Sequence, residues 1–250
     1  MASMTMQANW RPYCGEAPLP AEILGRWNLD PALMLILAAG LFLMLRWSDG
    51  TPGRRLPICI GFALMVLLFI SPLCALSAAL FSARVIHHVA LTGLIAPLLI
   101  AGLPAAGPRL PGSLPLWTAV HALVFWLWHA PSAYGWALSN HSAYWLMQLS
   151  LLGSALGLWA AIRRAPAPSA VAALLATMVQ MGLLGALLTF TLAPIYAPHW
   201  LSTVAWGLSP LEDQQLAGLI MWVPGALIYL GAAFLIMWRW MGDEQRQVPE

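Results

Sequence analysis

Seven apolar stretches, at about 31–47, 57–80, 84–103, 114–130, 142–162, 168–193 and 211–238, fill most of this 250-residue chain. Each is near the roughly 20 residues that a helix needs to cross a hydrocarbon core about 30 Å thick. They are too long for barrel strands and lack the period-two alternation of a transmembrane barrel. Charged residues make up only 8% of the chain, against roughly a quarter in a soluble domain, so the chain could not cover its own surface in water. The expected fold is all-α, a polytopic membrane protein of about seven transmembrane helices, with no room for a large soluble domain. Residues 1–30 read as a polar N-terminal segment, 31–240 as the membrane domain and 241–250 as a short tail. The N-terminal segment lacks the apolar run of a cleavable signal peptide.

The few charges set the orientation. Arg46, Arg54 and Arg55 fall between the first and second stretches, Arg109 between the third and fourth, Arg163 and Arg164 between the fifth and sixth, and Arg239 and Arg246 at the end of the seventh. These are alternate connections. Arg84 opens the third stretch, and Arg11 and Arg26 lie in the N-terminal segment. By the positive-inside rule the N-terminus is outside, on the periplasmic side, and the C-terminus is cytoplasmic. All eleven cations are arginines, which excludes Schiff-base lysine chemistry. A dispersed net charge of +2 gives no footprint for a nucleic acid, so the partner expected from composition is the lipid bilayer.

With that topology His87, His88, His129 and His141 near helix ends and His199 in the loop between the sixth and seventh stretches collect on the outer face, and only His121 lies deeper. Copper accepts imidazole, thiolate and thioether together, so this layer, with Cys74 and with Met147 and Met221 in possible reach, suits a copper site. His87 and His88 are adjacent and project about 100° apart, which lets one of them face a shared site. The competing reading of each histidine is a polar anchor at the interface. Arg84 and His88 share one helix face, bringing a charge and an imidazole into the bundle together; for Arg84, snorkelling to headgroups is the alternative. The tryptophans at Trp126 and Trp128 read as an interfacial belt, with His129 just inside it.

Cys14, Cys59 and Cys74 are far apart without a CxxC, so no disulfide framework or structural zinc is expected, and each thiol reads as a small apolar filler or a surface group. In Ser209-Pro210-Leu211-Glu212-Asp213-Gln214, Ser209 and Glu212 form a capping box with Pro210 at the first helical position. For Asp213, orienting a histidine ligand and structural hydrogen bonding are both open. Gln214, Gly218, Met221 and Gly225 recur on one side of the helix, the glycines permitting close approach of another helix. Gln148 and Gln180 read as interhelical hydrogen-bonding residues. There is no nucleotide-binding loop, HExxH or GxSxG pattern, so no enzyme activity is expected.

The segment from Phe81 to His88 running into Ala96-Pro97-Leu98-Leu99, then Trp128-His129-Ala130-Pro131, Pro194-Ile195-Tyr196, and above all Glu212-Asp213-Gln214-Gln215-Leu216-Ala217-Gly218 with Met221-Trp222-Val223-Pro224, resembles the CtaG family of cytochrome c oxidase assembly factors. The likeness covers about residues 30–240. It implies a bacterial inner-membrane protein that matures a haem-copper oxidase, with oxidase subunits or other assembly factors as partners and copper as cargo. The family often has a His-Met-x-x-His pattern in the third helix; Arg84 stands at its first position and His88 at its second. The metal residues that follow are His88 and His129, with His87, His141, Cys74 and Met221 as further candidates and Asp213, Gln214, Arg84 and Glu212 as their polar surroundings. Rival functions are a copper permease, a haem-binding membrane protein and a metal-free assembly scaffold.

Overall fold

A computed structural model describes residues 10, 12–48, 50–104 and 111–247, the last five without their side chains; Arg11, Arg109 and the Arg246 side chain lie outside what is described. Ten α-helices follow one another: α1 Pro31–Trp47, α2 Pro52–Phe69, α3 Pro72–Ala79, α4 Phe81–Ala90, α5 Ala96–Gly102, α6 Leu114–His129, α7 Pro131–Ser139, α8 His141–Ile162, α9 Ala167–Phe190 and α10 Pro210–Gln247. The described residues include no strand.

Among the described residues five helical segments are long and apolar enough to cross a membrane: α2, the continuous α4–α5 rod over Phe81–Gly102, α8, α9 and Pro210–Gly242 of α10. α1 is apolar but has 17 residues and α6 has 16, about 25 Å of helix at 1.5 Å per residue. The bundle turns large apolar side chains outward, among them Leu35, Phe42, Leu123, Val179, Leu187 and Phe234. A soluble protein of this size does not present such a surface, and the chain is a multi-pass membrane protein.

The stretch expected as one span over 57–80 is two helices. α2 starts earlier, at Pro52, and stops at Phe69; Ser71 then caps α3 by accepting from the Leu73 N–H, with Pro72 in its first turn. Hydropathy is blind to this break because both halves are apolar, whereas a serine followed by proline is an N-terminus signal. Leu80, in extended conformation, separates α3 from α4.

Between α4 and α5 the rod widens into one π turn, Leu91–Ile95. Pro97 follows it; a proline ring collides with the carbonyl four residues back in a regular α-helix, and a wider turn relieves that collision. The turn leaves the Thr92 carbonyl to accept from the Trp159 indole at 2.9 Å, which ties α4–α5 to α8.

α9 and α10 pack most closely. A Cβ on Gly218 would stand 2.5 Å from the Gly185 carbonyl oxygen, and one on Gly185 would stand 2.8 Å from that of Gly218. Two glycines thus bring backbone against backbone, the approach expected of Gly218. Gly225 meets the Met181 side chain in the same seam.

The bundle has two distinct ends. At one, Arg163 at the close of α8 donates to the carbonyls of Ile100, Leu103 and Pro104 at the close of α5, satisfying C-terminal carbonyls that have no intrahelical partner. At the other, residues 10 and 12–30 form a strap across α2, α3, α7 and α8. Tyr13 stacks on Tyr144 at 5.2 Å and Trp10 lies against Gly135; Asn28 bonds to the Phe69 and Ile70 carbonyls. The Tyr13 hydroxyl donates to Asp30, the N-cap of α1. That bond holds the Asp30 carboxyl below its ordinary range, while burial first and then Asp30 push the Tyr13 phenol above its own.

Candidate functional site

The strap is fastened by a disulfide, Cys14–Cys74, joining residues 60 apart in sequence. This corrects the expectation that the cysteines are unpaired fillers or surface thiols, and with it that of Cys74 as a metal ligand: its sulfur is committed to Cys14. The spacing offered no local signal, because the pairing depends on the strap folding back over α3. Cys59 is free and exposed on α2.

Beneath the strap lies a compact set of buried polar side chains. Asp213, in the first turn of α10, accepts from the Phe81 N–H at 2.6 Å and from the Ser82 N–H and hydroxyl at 3.1 and 2.5 Å. A carboxylate thus caps α4, where unpaired N–H groups and the helix dipole favour negative charge. Of the two roles open to Asp213, the geometry gives structural bonding. Glu212 and Ser209 form the expected reciprocal box, at 2.7 and 3.2 Å. Gln214 accepts from the Ile195 N–H at 2.8 Å and fixes the loop after α9 to α10.

His199 and Tyr134 belong to the same bonded set. His199 Nδ1 lies 3.2 Å from the Ala79 carbonyl and Nε2 lies 2.7 Å from the Tyr134 hydroxyl. Nδ1 therefore carries the proton, and Nε2 accepts from Tyr134. Burial lowers the His199 pKa to about 3, so the ring is neutral in the fold at physiological pH. Tyr196 donates to the His129 carbonyl at 2.7 Å and stacks on Phe81 at 3.8 Å. Tyr134 and His199 were missing from the expected site residues; their bond spans 65 positions and has no local sequence signature.

A second set is different. His88 on α4 and His129 at the end of α6 are 1% and 3% exposed, with ring centroids 5.4 Å apart and planes nearly perpendicular. Nδ1 of His129 bonds to the Phe125 carbonyl at 2.7 Å, which puts the proton on Nδ1 and leaves the Nε2 lone pair free. Metal-binding histidines are commonly held this way. That Nε2, both ring nitrogens of His88 and both of His87 have no hydrogen-bond partner. Arg84, one turn before His88 and 0% exposed, also has none for its three guanidinium nitrogens; its charge lies over the Tyr144 ring at 5.3 Å. Gln148, one turn along α8 from Tyr144, is buried with both amide atoms unbonded.

The remaining candidates fall elsewhere. His87 packs edge-on against Phe69 at 4.7 Å, its centroid 6.1 Å from that of His88. His141 is exposed at the start of α8 and stands edge-on to Tyr13. Met147 and Met221 are buried in the apolar core. His121 bonds to Ser154, and Gln180 accepts from the Trp126 indole at 2.8 Å. Among the described residues no group of three or more His, Cys, Asp or Glu could hold a metal ion, so the layer of histidines expected from topology reduces to one close pair. A groove of about 860 Å³ between α6, α8 and α9 opens at the Arg164 end, its lining including several alanines, Trp117 and Gln180, and contains none of these histidines.

No curated protein matches the chain, and no solved structure does. The family model of the cytochrome c oxidase caa3 assembly factor matches residues 38–243, from within α1 to the far part of α10 and therefore across every helix that contributes to the buried polar sets. The chain belongs to the family of cytochrome c oxidase caa3 assembly factors.

Proposed function

We propose that the protein works without catalysis in the maturation of a haem-copper oxidase by holding Cu(I) between His88 and His129, close to the outer face of a bacterial inner membrane. The observation that carries this reading is the pair of facing-helix histidines whose free ring nitrogens are buried with no partner. A buried imidazole nitrogen without a bond costs about 1–3 kcal/mol, and a metal ion would remove that cost. Metal–nitrogen bonds of about 2 Å put two imidazole centroids about 6 Å apart; the observed separation of 5.4 Å needs only a small opening. Zinc takes four ligands in structural sites, and among the described residues no such donor set accompanies the pair. Cu(I) is satisfied by two or three donors, so the donor set fits it.

The topology that goes with this reading has seven crossings, α1 and α6 included, with the strap outside. Two features support the orientation. Arg46, Arg54, Arg55, Arg163, Arg164 and Arg239 gather at the end away from the strap, and the strap carries a disulfide, a bond that persists in oxidising compartments. The partners in this reading are oxidase subunits or other assembly factors that meet the strap end.

Anaerobic titration of the purified protein with a Cu(I) competitor chelator tests the claim. One copper per chain is expected, with affinity lowered at least 100-fold in the His88→Ala, His129→Ala double variant. Equal and weak binding by both proteins sinks the metal reading, and full oxidase assembly in cells carrying the double variant would instead make the protein a metal-free scaffold.

A further inference from the structure

The Arg84 guanidinium is fully buried, and none of its three nitrogens has a hydrogen-bond partner. The nearest arrangement of carboxylates offers no relief. Asp213 is already committed, both of its oxygens being bonded to Phe81 and Ser82, and among the described residues the ion pair that forms joins Arg26 and Glu22, in the strap. A histidine or lysine can shed its charge on burial; an arginine cannot. The aromatic face of Tyr144 offsets part of the charge but accepts no N–H bond in the guanidinium plane. The Tyr134 hydroxyl lies within reach of the guanidinium but is neutral, so the five donors share a buried polar cage in which, among the described residues, no counter-charge pairs with them. Arg84 also stands one helical turn from His88 on the same face.

We propose that copper occupies the His88–His129 pair together with one soft monovalent anion, a halide or a thiolate, and that Arg84 is the residue that holds this anion. The inference rests on the Cu(I) reading above and deepens it by naming the form of the cargo. Cu(I) between two neutral imidazoles is a cation, and beside Arg84 it would place two like charges in one desolvated cage. A single anion bonded to copper removes one of them, gives the guanidinium the counter-charge it lacks, and completes a three-coordinate site. Soft anions are selected because Cu(I) prefers them over carboxylate or water. Copper stays Cu(I) throughout, and the anion arrives already deprotonated, so no electron or proton is exchanged.

X-ray absorption at the copper edge on the full-length protein, loaded anaerobically with Cu(I), reads the ligand set directly. In bromide buffer the wild type is expected to show two nitrogen neighbours and one bromine per copper. A thiol arm uses the Cys14→Ser, Cys74→Ser background, where the thiol has no disulfide to reduce, and replaces bromine by sulfur if a thiolate is taken. Arg84→Gln is expected to keep two nitrogens, to lose the heavy neighbour and, in methanesulfonate, to bind Cu(I) at least tenfold more tightly than the wild type because the like charge is gone. Arg84→Lys, which restores the charge, is expected to regain the bromine. Two nitrogens with no bromine or sulfur in any arm would overturn the anion and leave the copper reading standing. Failure of the wild type to retain copper in every arm would overturn both.

Discussion

Two buried polar sets lie side by side under the strap, and they differ in how their bonds are placed. In one, Asp213 fills its oxygens with Phe81 and Ser82, His199 uses both ring nitrogens, and Tyr134 and Tyr196 each have a partner. In the other, Arg84, His87, His88 and Gln148 leave every side-chain nitrogen and amide oxygen unbonded, and His129 leaves one nitrogen. Buried polar groups in native proteins are overwhelmingly paired. A set that is fully paired accounts for itself as architecture: it fixes where α4, α7, the loop after α9 and α10 meet. A set that is unpaired is a cost to the fold, and its persistence points to something the protein binds. The first set should therefore matter for stability and the second for ligand.

The largest expected effect breaks the paired set by pH. In the fold the His199 pKa is about 3 against an ordinary 6.5, so below pH 6.5 the unfolded chain takes up a proton that the folded chain refuses. Stability from this ring is complete above pH 6.5 and is lost progressively as pH falls toward 3, by up to about 5 kcal/mol at 1.36 kcal/mol per unit. Unfolding of the detergent-solubilised protein between pH 7 and 4 measures it. His199→Asn should be less stable at pH 7 but show a shallower pH slope; an unchanged slope would remove His199 from the paired set.

Next comes the strap. Closing a loop of 60 residues restricts the unfolded chain by about 4 kcal/mol in the entropic account, a ceiling for a chain whose helices persist outside the fold. The Cys14→Ser, Cys74→Ser protein should unfold at lower temperature by several degrees while keeping the copper binding proposed at His88 and His129, since neither sulfur is a ligand in that proposal. Loss of copper binding in this variant, with its fold intact by circular dichroism, would move the disulfide from architecture to function.

A smaller loss is expected for Asp213→Asn, about 2–3 kcal/mol, because an amide cannot accept all three bonds that now end on the carboxylate and has no charge to offer the α4 dipole. Thermal unfolding alongside the copper titration separates the two sets: a drop in stability with copper affinity retained is the expected result. The reverse pattern would make Asp213 part of the proposed metal site.

What could be read from the sequence followed range. The Ser209–Glu212 box closes over three residues, and the turn-to-turn recurrence of Gly218 and Gly225 is fixed by helical periodicity, so both were legible. The concentration of arginines at one end was legible because charges are so scarce. The bonds that define the site are long-range: Asp213 reaches Ser82 across 131 positions, and Cys14 reaches Cys74 only because the strap folds back. Membrane depth placed His141 in the same layer as His88, but depth does not report direction, and its ring turns outward to Tyr13. The break before α3 went unread because hydropathy averages over the Ser71-Pro72 signal.

The smallest effect tests the unpaired set where no metal is proposed to sit. Gln148 and Met have nearly the same length and volume, so Gln148→Met changes chemistry without opening a cavity. With both amide atoms buried and unbonded, the glutamine loses its hydration on folding and recovers nothing within the bundle, a cost of order 1–3 kcal/mol. Methionine removes that cost, and a gain of about 1 kcal/mol is expected, part of the difference being lost to methionine's own side-chain entropy. Chemical unfolding in detergent resolves a change of that size. A loss of more than 1 kcal/mol instead would show that the amide is bonded in the folded protein, either to water held in the cage or to the anion beside Arg84. The bromide arm of the absorption experiment then decides between them: loss of the bromine in Gln148→Met would extend the anion cage from α4 across to α8, and its retention would leave Gln148 with water.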